Sequence, residues 1–329
     1  MTEPSDASPP ELSNASPPEP SDASPPPGTD REALKRRIRL VVSIVGPLVI
    51  LGLLVYLIAS KGSQIEQAAD RTSAGDLVLV TALALLTLLA RTEAVVACLD
   101  AMGARPSRID INAANSLTFL AALINHYLSG IVRAALLQRL DRERSPTILQ
   151  MVMVDTSTTL IEALVVAVLI VISASVLNLA WWIPVLILLA GVAGVALALE
   201  LRRRFSHLSV FRGLDVLAHA RERTVVGGLM VLVIAAQVIR TLIVLQSVGL
   251  KPSLLQAVAT FVAAGVLSSL FAGPGAGTAG GPLLVFGHNH LAASAAAGLE
   301  LSITTLVAGI IYAMIGGPVF LSRWRSVTA

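Results

Sequence analysis

The sequence predicts an all-α membrane protein: a polytopic helix bundle built as an inverted repeat of three plus three spans, with one re-entrant hairpin in each half. Three observations carry that expectation. The 329-residue chain has a mean hydropathy of +0.78 and only 14% charged residues, against about 25% in soluble domains. Several runs exceed the roughly 18 uncharged apolar residues that read as a membrane helix. Two more apolar segments, one per half, are interrupted by glycine, proline and polar residues. Paired broken segments of this kind point to a transport site near the bilayer midplane.

Residues 1–38 form a low-complexity tail. Ser-Asp-Ala-Ser-Pro-Pro begins at Ser5 and again at Ser21, with Ser-Asn-Ala-Ser-Pro-Pro at Ser13 between them. Proline, serine and acidic residues supply no core, so the expectation is a disordered or polyproline II segment. Residues 39–325 form a single membrane domain, divided into halves at about 39–175 and 176–325.

Full spans are expected at 40–59, 77–97, 149–172, 181–199, 225–247 and 299–321. Aromatic residues make up only 4% of the chain, so these helices should pack through small residues. The arginines and lysines orient them. Arg31, Lys35, Arg36, Arg37 and Arg39 precede the first span and place the N-terminus in the cytoplasm. The basic loops at Arg105 and Arg108, at Arg139 to Arg144, and at Arg202 to Arg223 lie on the same side, as do Arg323 and Arg325. Both termini are therefore expected inside, in the cell membrane.

Residues 111–137 have basic loops on both sides, so they read as a hairpin entering from the cytoplasm. Residues 254–296 read as a hairpin entering from outside. The alternative is that each hairpin is two thin full spans, giving ten crossings with the same termini. The first broken segment runs from Asn125 to Arg133 and the second from Gly273 to Pro282. In the second, Gly275, Gly277, Gly280 and Gly281 offer bare backbone between Pro274 and Pro282. A helix restarting after Pro282 would aim unpaired N–H groups at an anionic headgroup or phosphate. A tight packing turn without ligand is the other reading.

Ionisable residues inside spans are costly and point to function. Asp155 and Glu162 lie seven residues apart, hence on one helix face. Arg240 lies deep in the fifth span and Arg133 on the returning arm of the first hairpin. Asp155 and Glu162 are the expected partners of Arg240, as a headgroup clamp, a proton relay or a structural ion pair. Arg91 and Glu93 are expected to snorkel or pair locally. His288 and His290 are two potential ligands where a metal site needs more, so no metal is expected, and no cofactor. Cys98 is the single cysteine and excludes an internal disulfide.

These residues resemble the flippase-like integral membrane family related to the transmembrane region of lysylphosphatidylglycerol synthases. Leu88-Leu89-Ala90-Arg91 leading to Met102-Gly103 is similar to that family's arginine-then-glycine signature, with Thr92 where the family carries tryptophan. Asn125 to Arg133 and Phe271 to Gly281 look like its two hairpins, with Ser129 for a proline and Gly280 near the usual glutamate. The resemblance implies lipid translocation or lipid-linked handling. The expected function is thus a lipid translocase or lipid-handling transporter, binding an anionic phospholipid or a polyprenyl-linked lipid. The candidate binding residues are Asn125, Arg133, Asp155, Glu162, Arg240, Pro274, Gly275, Gly277 and Gly280. The alternatives are a membrane-embedded enzyme of the polyprenyl-phosphate glycosyltransferase type, and a non-catalytic subunit of an envelope complex.

Overall fold

Among the described residues, five helices are long and apolar enough to cross a membrane. The computed structural model describes residues 70–124, 129–141, 144–270 and 274–328, with Ser63 and Gln67; at 120–124, 269–270, 274–276 and 326–328 it describes backbone alone. The 1–38 tail, the expected span at 40–59 and Asn125 lie outside the described residues. Among the described residues there is no strand.

Helix α1 runs from Ala74 to Met102. It starts at a capping box between Ser73 and Asp76 and stops at Gly103, whose φ of 81° is the left-handed conformation glycine tolerates. Two shorter helices follow, α2 (Arg108–Ile124) and α3 (Ser129–Leu140). Helix α4 (Ile148–Ser173) begins at a second capping box, Thr147 with Gln150. Helix α5 is Trp182–Arg204 and buries only Pro184 and Ala198. An apolar helix exposed on nearly every side is stable only in a lipid surround, and α5 is the clearest physical sign of a bilayer.

The basic stretch after α5 is not an open loop. Ser209–Leu214 forms a 3-10 turn that runs into a short helix α6 (Asp215–Ala218), and Gly213 to Leu217 are buried. Gly213 lies against the α4 backbone: a Cβ there would stand 2.6 Å from the Gln150 carbonyl and 2.8 Å from the Val154 nitrogen. The Ser157 hydroxyl donates to the Gly213 carbonyl at 2.8 Å, and Arg202 pairs with Asp215.

The second part comprises α7 (Ala220–Ser247), α8 (Leu254–Leu270), α9 (Pro274–Phe286) and α10 (Leu291–Thr328). Helices α8 and α9 pack side by side through glycine. A Cβ on Gly281 would meet the Thr260 carbonyl at 2.7 Å and the Ala264 methyl at 2.8 Å, and one on Gly277 would collide with Ser268 and the Ala264 carbonyl. Helix α10 receives α2 in the same way. Gly309 faces the Phe119 ring, and Gly316, two turns on, faces Ser116. This is small-residue packing, the usual adhesive where water supplies no hydrophobic drive between helices.

The arginines gather at one end. Arg323 of α10 grips Asp110 of α2 with two hydrogen bonds, 2.9 and 3.1 Å. Arg139 of α3 lies over the Trp324 ring, and Arg223 donates to the Leu217 carbonyl. Both outer ends of the α2–α3 pair therefore lie at this arginine-rich end. The opposite end holds the start of α1, the end of α7 and the Glu300 carboxyl group, which lies within hydrogen-bond distance of the Thr72 and Ser247 hydroxyls.

Candidate functional site: intramembrane charges

Helix α4 carries two carboxylates on one face, and each is met by an arginine from a neighbouring helix. Asp155 accepts from Arg133 of α3 at 2.5 Å. Gly130, one turn before Arg133, makes room for it: a Cβ at that position would stand 2.5 Å from the carboxylate oxygen. Two turns along, Glu162 is held by both terminal nitrogens of Arg91 of α1, one of them at 2.9 Å. A bidentate guanidinium–carboxylate pair fixes orientation as well as charge. In an apolar surround, pairing is what makes four such charges tolerable.

This corrects two expectations. Arg91 does not pair locally; it reaches across to Glu162. Arg240 pairs with neither acid, because both are already taken and it points instead to α10. Its Nη2 donates to the Leu301 carbonyl at 2.8 Å and to the Thr305 hydroxyl at 2.6 Å. The residue is only 4% exposed, and its Nε has no hydrogen-bond partner among the described residues. Arg240 is thus a buried cation neutralised by no carboxylate among the described residues. One residue from Leu301, Ser302 bonds Thr278 of α9 at 2.9 Å. The Arg240 contacts and the α9 helix therefore meet on the same stretch of α10.

The glycine-rich segment also differs from its expectation. Residues 274–286 are continuous helix, with Pro274 at the start and Pro282 inside. Proline suits the first helical position, where the N–H has no partner anyway. Gly277 and Gly280 are helix residues turned onto α8, Gly280 against Leu267. They are not an open loop, and no helix restarts after Pro282. The helix start that could face an anion is Pro274–Gly275, at the head of α9.

A second polar cluster joins α1, α2 and α10. The Thr92 hydroxyl lies 2.9 Å from the Tyr312 hydroxyl and accepts from Asn115 at 2.6 Å, and Tyr312 donates to Asn112 at 3.2 Å. Thr92 is fully buried. At the arginine-rich end, a cavity of about 410 Å³ is lined by Gly103, Arg105, Arg144, Ser145, Gln150 and Arg212, among others. It opens beside the N-terminus of α4, where helix dipole and guanidinium groups together favour a negative charge.

No protein-family model, no curated protein and no solved structure matches the chain. Sequence reasoning missed Arg91 as an ion-pair partner, although the arginine-then-glycine signature already singled it out. It also missed Glu300, the lone acid of the last apolar run.

Proposed function

We propose that the protein is a lipid-handling transporter of the cell membrane that admits an anionic lipid headgroup beside Arg240. The observation that carries this reading is Arg240 itself: a buried guanidinium whose described contacts are a backbone carbonyl and a hydroxyl, with one N–H open. A cation at depth is expensive, and a phosphate or carboxylate headgroup is the natural counter-charge. The head of α9, a helix that meets α10 at Ser302, adds a positive helix end.

In this reading the arginine-rich end is cytoplasmic, by the excess of basic residues there. The cavity at that end is where a headgroup gathers before entry. The pairs α2–α3 and α8–α9 are re-entrant hairpins entering from opposite faces, and the two halves are an inverted repeat. Length supports this: 17, 12, 17 and 13 residues give at most about 25 Å of helix, short of a hydrocarbon core of about 30 Å. The likeness of Arg91 to Gly103, and of the two hairpins, to the lysylphosphatidylglycerol synthase membrane region supports the same substrate class.

The test is transfer of a fluorescent anionic phospholipid between leaflets of vesicles carrying the full chain. Wild type accelerates transfer, Arg240→Lys retains part of it, and Arg240→Gln abolishes it while keeping wild-type helicity. Wild-type protein that moves no lipid, or Arg240→Gln that moves it at the wild-type rate, overturns the reading.

A further inference from the structure

Of the carboxylates that hydrogen-bond between helices, Asp110, Asp155, Glu162 and Asp215 each have an arginine. Glu300 does not. No arginine, lysine or histidine among the described residues lies within ion-pair distance of it. It sits nine residues into α10, level with the first residues of α1 and the last of α7.

Two hydroxyls serve it. Thr72 Oγ1 lies 3.0 Å from Glu300 Oε2 and 3.3 Å from Ser247 Oγ. Ser247 Oγ lies 2.9 Å from the Val244 carbonyl and 3.4 Å from Oε2. Each hydroxyl has one proton to give. The closer contact sends the Ser247 proton to Val244, which leaves the Thr72 proton alone for the carboxyl group. Glu300 Oε1 is buried and has no hydrogen-bond partner among the described residues. Among the described residues, an ionised carboxylate would thus be held by one neutral donor, with one oxygen unpartnered and no counter-ion. Burying a charge on those terms is far costlier than burying the neutral acid. A carboxylic acid fits the same surroundings: its proton turns to the Ser247 or Thr72 oxygen, both of which have lone pairs free.

The charges around it do not offer relief. On α1 the nearest is Asp76, a like charge. Arg71, just before α1, is turned onto Gly249. On α7 the cation nearest this end is Arg240, bonded to Leu301 and Thr305, and Lys251 follows in the turn before α8. Helix α9 contains no titratable residue, and His288 and His290 lie in the turn before α10. At the far end of α10, Asp110 and Arg139 belong to the arginine-rich end, and Arg133 is paired with Asp155.

We propose that Glu300 is a proton-binding site, carried as the carboxylic acid at neutral pH and exchanging its proton with water at the end opposite the arginines. Release leaves a carboxylate and passes one proton to solvent; rebinding reverses it. The further clause rests on the lipid reading: where that holds, this proton is the coupling ion.

Dicyclohexylcarbodiimide tests the site directly, since it adds to protonated carboxyls in apolar surroundings. Full-length protein in vesicles is treated across a pH series, and the peptide containing Glu300 is weighed. The adduct should be abundant at pH 6 and fall progressively as the pH is raised and the acid gives up its proton. Asp155 and Glu162, ion-paired, should stay unmodified, and Glu300→Gln should lose the adduct. An unmodified Glu300 at pH 6, in protein that labels there once unfolded, overturns the proposal. Protection by sodium chloride but not choline chloride at fixed pH overturns it in favour of a sodium site. Coupling is read separately. Wild-type lipid transfer should respond to an imposed pH gradient, and Glu300→Gln transfer should not. Transfer indifferent to the gradient overturns coupling and leaves the lipid reading standing. Absent transfer with intact labelling overturns the lipid reading and leaves the proton site.

Discussion

Arg133 and Asp155 meet at 2.5 Å across the α3–α4 contact, with Gly130 directly beneath the carboxylate. The pair is mostly shielded, at 12% and 28% exposed. Removing one partner strands the other in an apolar surround, so Arg133→Ala or Asp155→Ala should each lose about 3 kcal/mol. The double mutant should lose little more than either single. Gly130→Ala should destabilise too, because the new methyl takes the space of the oxygen. Unfolding titrations in detergent on the three variants and the double mutant would check this, and additive losses would refute the pairing.

Arg240 should behave independently of both α4 acids. Its contacts run to Leu301 and Thr305 on α10, and Glu162 belongs to Arg91. Combining Arg240→Gln with Glu162→Gln should give stability losses that add within about 0.5 kcal/mol. Combining Arg91→Gln with Glu162→Gln should not add. A coupling above about 1 kcal/mol between Arg240 and Glu162 would show that the two meet in the functioning protein.

The Asp110–Arg323 clamp predicts a pH dependence. Burial pushes the Asp110 carboxyl up, but the Arg323 hydrogen bonds, the Ser107 hydroxyl and the arginine's charge together outweigh it and hold it below the usual carboxylate range. A depressed folded value means the stabilisation is fully present above the unfolded value of about 3.9 and is lost as pH falls through the lower folded value. Asp110→Asn should therefore be less stable than wild type at neutral pH. The two melting curves should converge as the solution is acidified through the lowered folded value. A gap that persists unchanged into strong acid would rule out the carboxylate as its source.

Glycines in α9 and α7 should answer differently to alanine. Gly277→Ala drives a methyl into Ser268 and the Ala264 carbonyl, so it should separate α8 from α9 and lower the melting temperature. At Gly228 a methyl meets nothing within 4 Å, and alanine is the better helix former by about 1 kcal/mol. Gly228→Ala should be neutral or stabilising. Equal effects at the two sites would mean that the α8–α9 contact does not form as described.

The long helices were legible because length and hydropathy are local properties, and the residue-seven spacing of Asp155 and Glu162 put them on one face without further information. Their partners were not legible. Whether Arg91 or Arg240 reaches Glu162 depends on which helix lies beside α4, and hydropathy is silent on neighbour order. The 274–282 stretch misled for a different reason. Glycine and proline read as loop by propensity, but backbone inside a bilayer must satisfy its own hydrogen bonds, and the helix wins. Its glycines then serve close packing instead of positive φ. The basic stretch after α5 hid Val210, Phe211, Leu214, Val216 and Leu217 among its arginines, and those apolar residues were the available sign that it folds back.

The glycine contacts also set an order of assembly during synthesis. Helix α9 leans on α8 through Gly277 and Gly281, but its other side meets α10, where Gly298 lies against the backbone of Ala279. That contact joins residues nineteen apart in the chain, so it cannot close until α10 has left the ribosome. Until then, the Thr278 hydroxyl lacks Ser302 and the Arg240 guanidinium lacks Leu301 and Thr305. A nascent chain halted before Leu301 therefore holds Arg240 without either of its described hydrogen-bond partners.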